Sequence, residues 1–85
     1  MAYQIEFAPH AYRQFKKLEG DTQRQILSRI EDLSVNPRPA GVRKLAAKEE
    51  LYRIRVGDYR VVYEIRDREL VVLVVKVGHR REVYS

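Results

Sequence analysis

The stretch from Leu51 to Val77 limits the fold more than any other part of the chain. Three runs rich in β-branched and aromatic residues, Leu51 to Val56, Tyr59 to Ile65 and Leu70 to Val77, are separated only by Gly57-Asp58 and by Arg66-Asp67-Arg68-Glu69. Connections this short leave no room for a crossover, so the three strands must run antiparallel as a meander. A sheet of this kind buries one face, and the first half of the chain supplies the covering layer. Tyr3, Ile5 and Phe7 alternate with polar residues as in a short half-buried strand. Pro9 suits a first helical position, and Tyr12, Phe15 and Leu18 form an apolar stripe before Gly20 offers a stop. Thr22 with Gln25 reads as a capping box for a second helix, with Ile26, Leu27, Ile30 and Leu33 on one face, ended by Asn36-Pro37-Arg38-Pro39. Val42 to Leu45 reads as a short edge strand, and Ala46 to Glu50 is ambiguous. The expectation is a single α+β domain over residues 1–85: an N-terminal strand, an antiparallel helical pair, then a mostly antiparallel β-meander in a sheet of about four to five strands.

At 85 residues the chain has one core and little spare stability. It contains no cysteine, which excludes disulfides and thiolate metal sites and fits a reducing, cytoplasmic setting. No signal peptide opens the sequence, and its longest apolar run, Leu70 to Val75, is too short to span a bilayer, so no membrane role is expected. His10 and His79 are the only histidines and have no carboxylates at ligand spacing, so neither metal nor cofactor is expected. No glycine-rich phosphate loop is present, and neither Ser28 nor Ser34 sits in a nucleophile motif. Of the net charge of +5, most falls in residues 43–85, which carry eleven Lys/Arg against seven Asp/Glu. Such an excess attracts nucleic acid or an acidic protein partner equally well.

The basic residues gain meaning from the strand register. If Gly57-Asp58 is a two-residue turn, Val56 pairs with Tyr59, Arg55 with Arg60 and Ile54 with Val61. Alternation then puts Arg53, Arg55 and Arg60 on one face, with Tyr52, Ile54, Val56, Tyr59, Val61 and Tyr63 on the other, against the helices. Like charges opposed on a sheet are destabilising unless an anion or water screens them, which marks either an anion site or an ordinary solvated face with acids such as Glu64 as partners. Continuing the meander pairs Ile65 with Leu70 and Arg60 with Val75, which brings Gly78 close to Gly57.

Directly after that strand come Gly78-His79-Arg80-Arg81-Glu82-Val83-Tyr84. Cleaving RNA without a metal requires removing the 2′-hydroxyl proton, stabilising the phosphorane and protonating the departing 5′-oxygen. Arginine serves the second need, because its fork binds phosphate oxygens in pairs while its pKa forbids proton exchange near neutrality. His79, with a reference pKa of about 6.5, is the group naturally poised for proton transfer. Tyr84 has three uses: donating a proton, orienting the phosphate or stacking on a base.

The segments Leu51-Tyr52-Arg53-Ile54-Arg55-Val56, Gly57-Asp58-Tyr59-Arg60-Val61-Val62-Tyr63 and Val77-Gly78-His79-Arg80-Arg81-Glu82-Val83-Tyr84 closely resemble the RelE branch of the RelE/ParE toxin superfamily. The resemblance extends over nearly the whole chain, including the opening strand, the helical pair and Lys44-Leu45. It implies a RelE-like fold and the toxin of a type II toxin-antitoxin pair: a metal-independent endoribonuclease, or mRNA interferase, that cuts mRNA in the ribosomal A site and so inhibits translation. It implies an acidic antitoxin as cognate partner, and operator DNA bound only through the toxin-antitoxin complex. By the same resemblance Arg53 and Arg55 bind around the scissile phosphate, Arg60 stabilises the transition state, and Arg80 and Tyr84 complete the catalytic set. Lys44 and Arg81 join the phosphate-binding residues, and the products are a 2′,3′-cyclic phosphate and a 5′-hydroxyl.

The best-known members carry lysines where this chain has Arg53 and Arg55, and an arginine cannot serve as a general base. Proton transfer is therefore expected to fall to His79 or Tyr84. Two other outcomes share the fold: a ParE-like toxin that binds DNA gyrase without nuclease residues, and an inactive member that only binds its antitoxin and operator.

Overall fold

A computed structural model describes residues 2–46 and 50–79. In chain order it contains β1 (Gln4–Phe7), α1 (Pro9–Lys16), α2 (Gly20–Asp32), β2 (Arg43–Ala46), β3 (Leu51–Val56), β4 (Tyr59–Arg66) and β5 (Val71–His79). The strands form one sheet in the order β1-β5-β4-β3-β2. Only β1 and β5 pair in parallel; the other neighbours are antiparallel. This is the expected α+β architecture, with five strands, and the opening strand joins the sheet beside β5.

The helices cover one face, α1 over β5 and β1, and α2 over β3. Ala11, Phe15, Ile26, Ile30 and Leu33 from the helices meet Tyr52, Ile54, Val61, Tyr63, Val72, Val74 and Val77 in one buried cluster. Each fully buried aliphatic side chain here contributes roughly 1.5–3 kcal/mol relative to exposure. The Tyr52 and Tyr63 rings stack at 6.0 Å, and the buried Tyr63 hydroxyl donates to the Pro37 carbonyl at 2.7 Å. That bond ties the loop after α2 to the centre of the sheet.

Several expected boundaries move. Gly20 begins α2 rather than ending α1, and Glu19 holds the N-cap position with extended backbone and no side-chain bond, so the Thr22–Gln25 box does not form. Instead the Gln23 side chain donates to the carbonyls of Lys16 and Leu18, satisfying acceptors at the end of α1. Leu27 is exposed, so the buried stripe of α2 is Ile26, Ile30 and Leu33. Tyr12 on α1 is likewise half exposed.

The β3–β4 hairpin has the expected register, with Val56 opposite Tyr59, Arg55 opposite Arg60 and Ile54 opposite Val61. Gly57 has φ +60, while Asp58 keeps a negative φ, the signature of a II′ turn. The β4–β5 register differs from the expectation. Ile65 pairs with Val72 rather than Leu70, and Arg60 with Gly78 rather than Val75. Residues 67–70 form the connection, closed by Arg66 opposite Val71, with Leu70 in the left-handed region at φ 55. A bulge then leaves Val75 without a partner, between the pairs Tyr63–Val74 and Val62–Lys76. Past the end of β1, the Gln14 side chain accepts from the Val77 N–H at 3.0 Å.

Candidate functional site

On β3 the buried positions Tyr52, Ile54 and Val56 alternate with Arg53 and Arg55. Burying the apolar set against the helices therefore forces both guanidiniums onto the opposite face of the sheet. The tight Gly57-Asp58 turn then delivers Arg60 to the same face, directly across from Arg55. The register builds two cross-sheet rows there. One runs Arg43, Arg53, Val62, Lys76 over β2 to β5; the next runs Arg55, Arg60, Gly78 over β3 to β5.

The environments of these cations are graded. Arg43 and Arg55 are exposed, Arg53 is half-buried, and Arg60 is 2% exposed, with its Nη1 donating to the Tyr59 carbonyl at 3.4 Å. Burial, and then the positive charges of Arg55 and Arg43, hold the Arg53 guanidinium below its ordinary pKa. The shift records first the loss of water around Arg53 and then the crowding of positive charge. A groove of about 660 Å³ lies beside the rows, lined by Gly41, Val42, Arg43, Lys44, Arg53 and Arg55. Gly41 turns the chain into β2 at φ +85, a conformation that side-chain-bearing residues rarely adopt.

Among the described residues, Glu64, Glu50 and Asp67 have the following partners. Glu64 accepts from Arg66 at 2.8 Å. Glu50 takes Arg38, the Tyr52 hydroxyl and, at 3.5 Å, Lys44; Asp67 takes Arg38 and the Tyr3 hydroxyl. Arg38, from the Pro37-Arg38-Pro39 loop, thus clasps the beginning of the β4–β5 connection to the start of β3, with its guanidinium 5.2 Å from the Tyr52 ring centre. Its Asp67 partner holds the Arg38 pKa above its ordinary value, and Arg38 in turn holds the Asp67 carboxyl below the usual carboxylate range.

The fold thus brings Arg53, Arg55 and Arg60 together. Lys44 borders the groove, but it is the cross-strand partner of Tyr52, and its Nζ sits 5.8 Å from that ring and beside Glu50. His79 pairs with Tyr59, not with an arginine, and its exposed ring meets the Tyr59 ring edge-on at 5.6 Å. Tyr59 belongs to the helix-side set, so the imidazole projects from the face opposite Arg60. Arg80, Arg81 and Tyr84 lie outside the described residues. Sequence reasoning missed Arg43 and Lys76, whose place depended on the β2 register and on the β5 bulge. Among the described residues, no three of His, Asp and Glu gather as metal ligands.

Residues 5–84 match the profile of a family described as "ParE toxin of type II toxin-antitoxin system, parDE". The chain is 33% identical to the mRNA interferase toxin RelE of Escherichia coli (strain K12) over 89 aligned residues, covering 100% of this chain and 93% of that protein. It is 28% identical to toxin RelG of Mycobacterium tuberculosis, covering 99% of this chain and 98% of that one. Among solved structures, the isolated E. coli RelE toxin superposes with a TM-score of 0.82 at 31% identity, covering 98% and 92% of the two chains. The archaeal RelE-RelB complex from Pyrococcus horikoshii OT3 gives 0.82 at 28% identity, covering 94% and 97%.

Proposed function

The chain belongs to the RelE/ParE superfamily as a RelE-family toxin of a toxin-antitoxin system, and from that membership we propose that it is a ribosome-dependent, metal-independent mRNA endoribonuclease. The observation that carries the proposal is the opposition of Arg55 and Arg60 with Arg53 alongside, on the face of the sheet away from the helices. Guanidiniums in that arrangement match the oxygens of a phosphate, which arginine forks bind in pairs.

In the proposed reaction the mRNA 2′-oxygen attacks the adjacent phosphorus as its proton is removed, and the bond to the 5′-oxygen breaks as that oxygen is protonated. The products are a 2′,3′-cyclic phosphate and a 5′-hydroxyl. Arg53 and Arg55 hold the non-bridging oxygens, and Arg60, fixed by burial before substrate arrives, meets the charge that grows on the phosphorane. Arg80, next in sequence after His79, adds to that set, and Arg81 contacts the flanking backbone with Lys44 at the groove edge. Of the two acid-base candidates, Tyr84 is favoured for the proton at the reacting phosphate, because the His79 ring packs on Tyr59 away from Arg60. His79 is then assigned to steering the residues that follow it.

The proposed partners are the ribosome with its mRNA, and an acidic antitoxin through which the pair reaches operator DNA. Solved relatives are RelE-RelB complexes, which supports the antitoxin. The proposed location is the cytoplasm. Induced expression of the wild type, Arg60→Ala and Tyr84→Ala, with growth and mRNA 5′-ends read together, tests the nuclease. Toxicity unchanged by either substitution would sink the assignment. The matching family is described as ParE toxin, which keeps open the ParE-like alternative, action on DNA gyrase; lost supercoiling with intact mRNA would select it.

A further inference from the structure

We propose that Arg43 and Arg53 form a second phosphate subsite beside the one at Arg55 and Arg60, holding the phosphodiester adjacent to the scissile one in the same RNA strand. The inference rests on the nuclease reading and extends it from one phosphate to two.

Arg43 is the direct cross-strand partner of Arg53, which puts both side chains on the face that carries Arg55 and Arg60. The two rows lie two residues apart along β3, roughly 6.6–6.8 Å at the usual rise per residue. The single-bonded sugar-phosphate repeat of an extended RNA strand reaches across that distance, so neighbouring phosphates match neighbouring rows. Arg53 faces both positions, opposite Arg43 and two residues along β3 from Arg55. The groove beside these arginines gives the strand a path. At its rim Gly41 presents no side chain, and a Cβ there would meet nothing within 4 Å, so the approach to Arg43 is open. Arg43 itself is exposed and, among the described residues, makes no ion pair with an acid. An arginine fork matches the oxygens of a phosphodiester, and two opposed forks on adjacent strands can share one. The ligand class is therefore single-stranded RNA with a charged linkage next to the cleaved one.

The test is ribosome-programmed cleavage of mRNAs carrying a single uncharged methylphosphonate at either linkage flanking the cut. Arg43→Ala should lower kcat/KM about tenfold on the all-phosphate message, the size of one charge-assisted contact. That loss should shrink below about twofold when the linkage held by Arg43 is already neutral, because the contact can be removed only once. Arg43→Lys should recover part of the rate by restoring the charge. An equal loss on every message, or none on any, overturns the subsite while leaving the nuclease intact. A wild type that cuts no message overturns the nuclease reading and the subsite with it. Matching melting temperatures for the Arg43 variants and the wild type exclude unfolding as the cause.

Discussion

Arg55 and Arg60 are direct partners across the β3–β4 hairpin, yet Arg55 is open to solvent while Arg60 is only 2% exposed. The pair thus joins a solvent-exposed cation to a buried one. Burying a guanidinium costs free energy that an apolar side chain of similar length would not. Arg60→Met should therefore leave stability unchanged or raise it by about 1 kcal/mol, while cleavage falls at least about a hundredfold. Urea unfolding and cleavage rates measured on the same preparation check this; a loss of stability beyond about 2 kcal/mol would show that Arg60 serves the fold instead.

Phosphate should stabilise the free protein. At matched ionic strength, replacing chloride with millimolar phosphate should raise the melting temperature by about 2–4 °C through binding to the folded state alone. Arg55→Ala should lose most of that gain. Equal gains in both proteins would mean that the anion binds elsewhere.

His79 and Tyr84 should separate in kinetics. Tyr84→Phe should lower kcat about a hundredfold, the usual scale of general acid-base catalysis. His79→Ala should cost only a few-fold and leave the shape of the pH-rate profile unchanged, because the imidazole packs against Tyr59 on the other face. Disappearance of an ionisation from the profile of His79→Ala would return the proton to histidine.

The Arg38 clasp gives a stability signal in acid. Bonds from Arg38 and Tyr3 lower the Asp67 pKa in the folded state, so the carboxylate stabilises the fold above its unfolded value of 3.8. That contribution fades as pH falls below it and through the folded pKa. Asp67→Asn should thus melt below the wild type at pH 7, by under about 1 kcal/mol because the pair is half exposed, with the gap closing below pH ~3.8. A gap independent of pH would trace the effect to packing.

Tyr63→Phe should destabilise by about 1 kcal/mol, since it leaves the Pro37 carbonyl without its buried donor. Chemical denaturation measures this directly, and activity per folded molecule should not change. A neutral result would mean that water replaces the hydroxyl.

Where the sequence was readable, local chemistry decided the geometry. Gly57-Asp58 has no alternative to a tight turn, so the Arg55–Arg60 opposition and the helix-side set of Tyr52, Ile54 and Val61 followed from counting. The β4–β5 register escaped because Leu70, a residue that disfavours φ 55, lengthens the connection, and because an unpaired Val75 looks like any other valine in an apolar run. Arg43 escaped for a related reason: an edge strand of four residues carries too little pattern to fix which side chains face which way, so Lys44 drew the attention. The start of α2 was misplaced because Gly20 reads as a terminator, whereas an extended Glu19 and the Gln23 side chain manage the corner without a capping hydroxyl.

The position of β5 between β1 and β4 has a consequence for biosynthesis. The strand made first and the hairpin made later have no contact surface in common until residues 71–79 slide between them. During synthesis the arginines of the β3–β4 hairpin therefore stand on an incomplete sheet until β5 adds Lys76 and Gly78 opposite Val62 and Arg60.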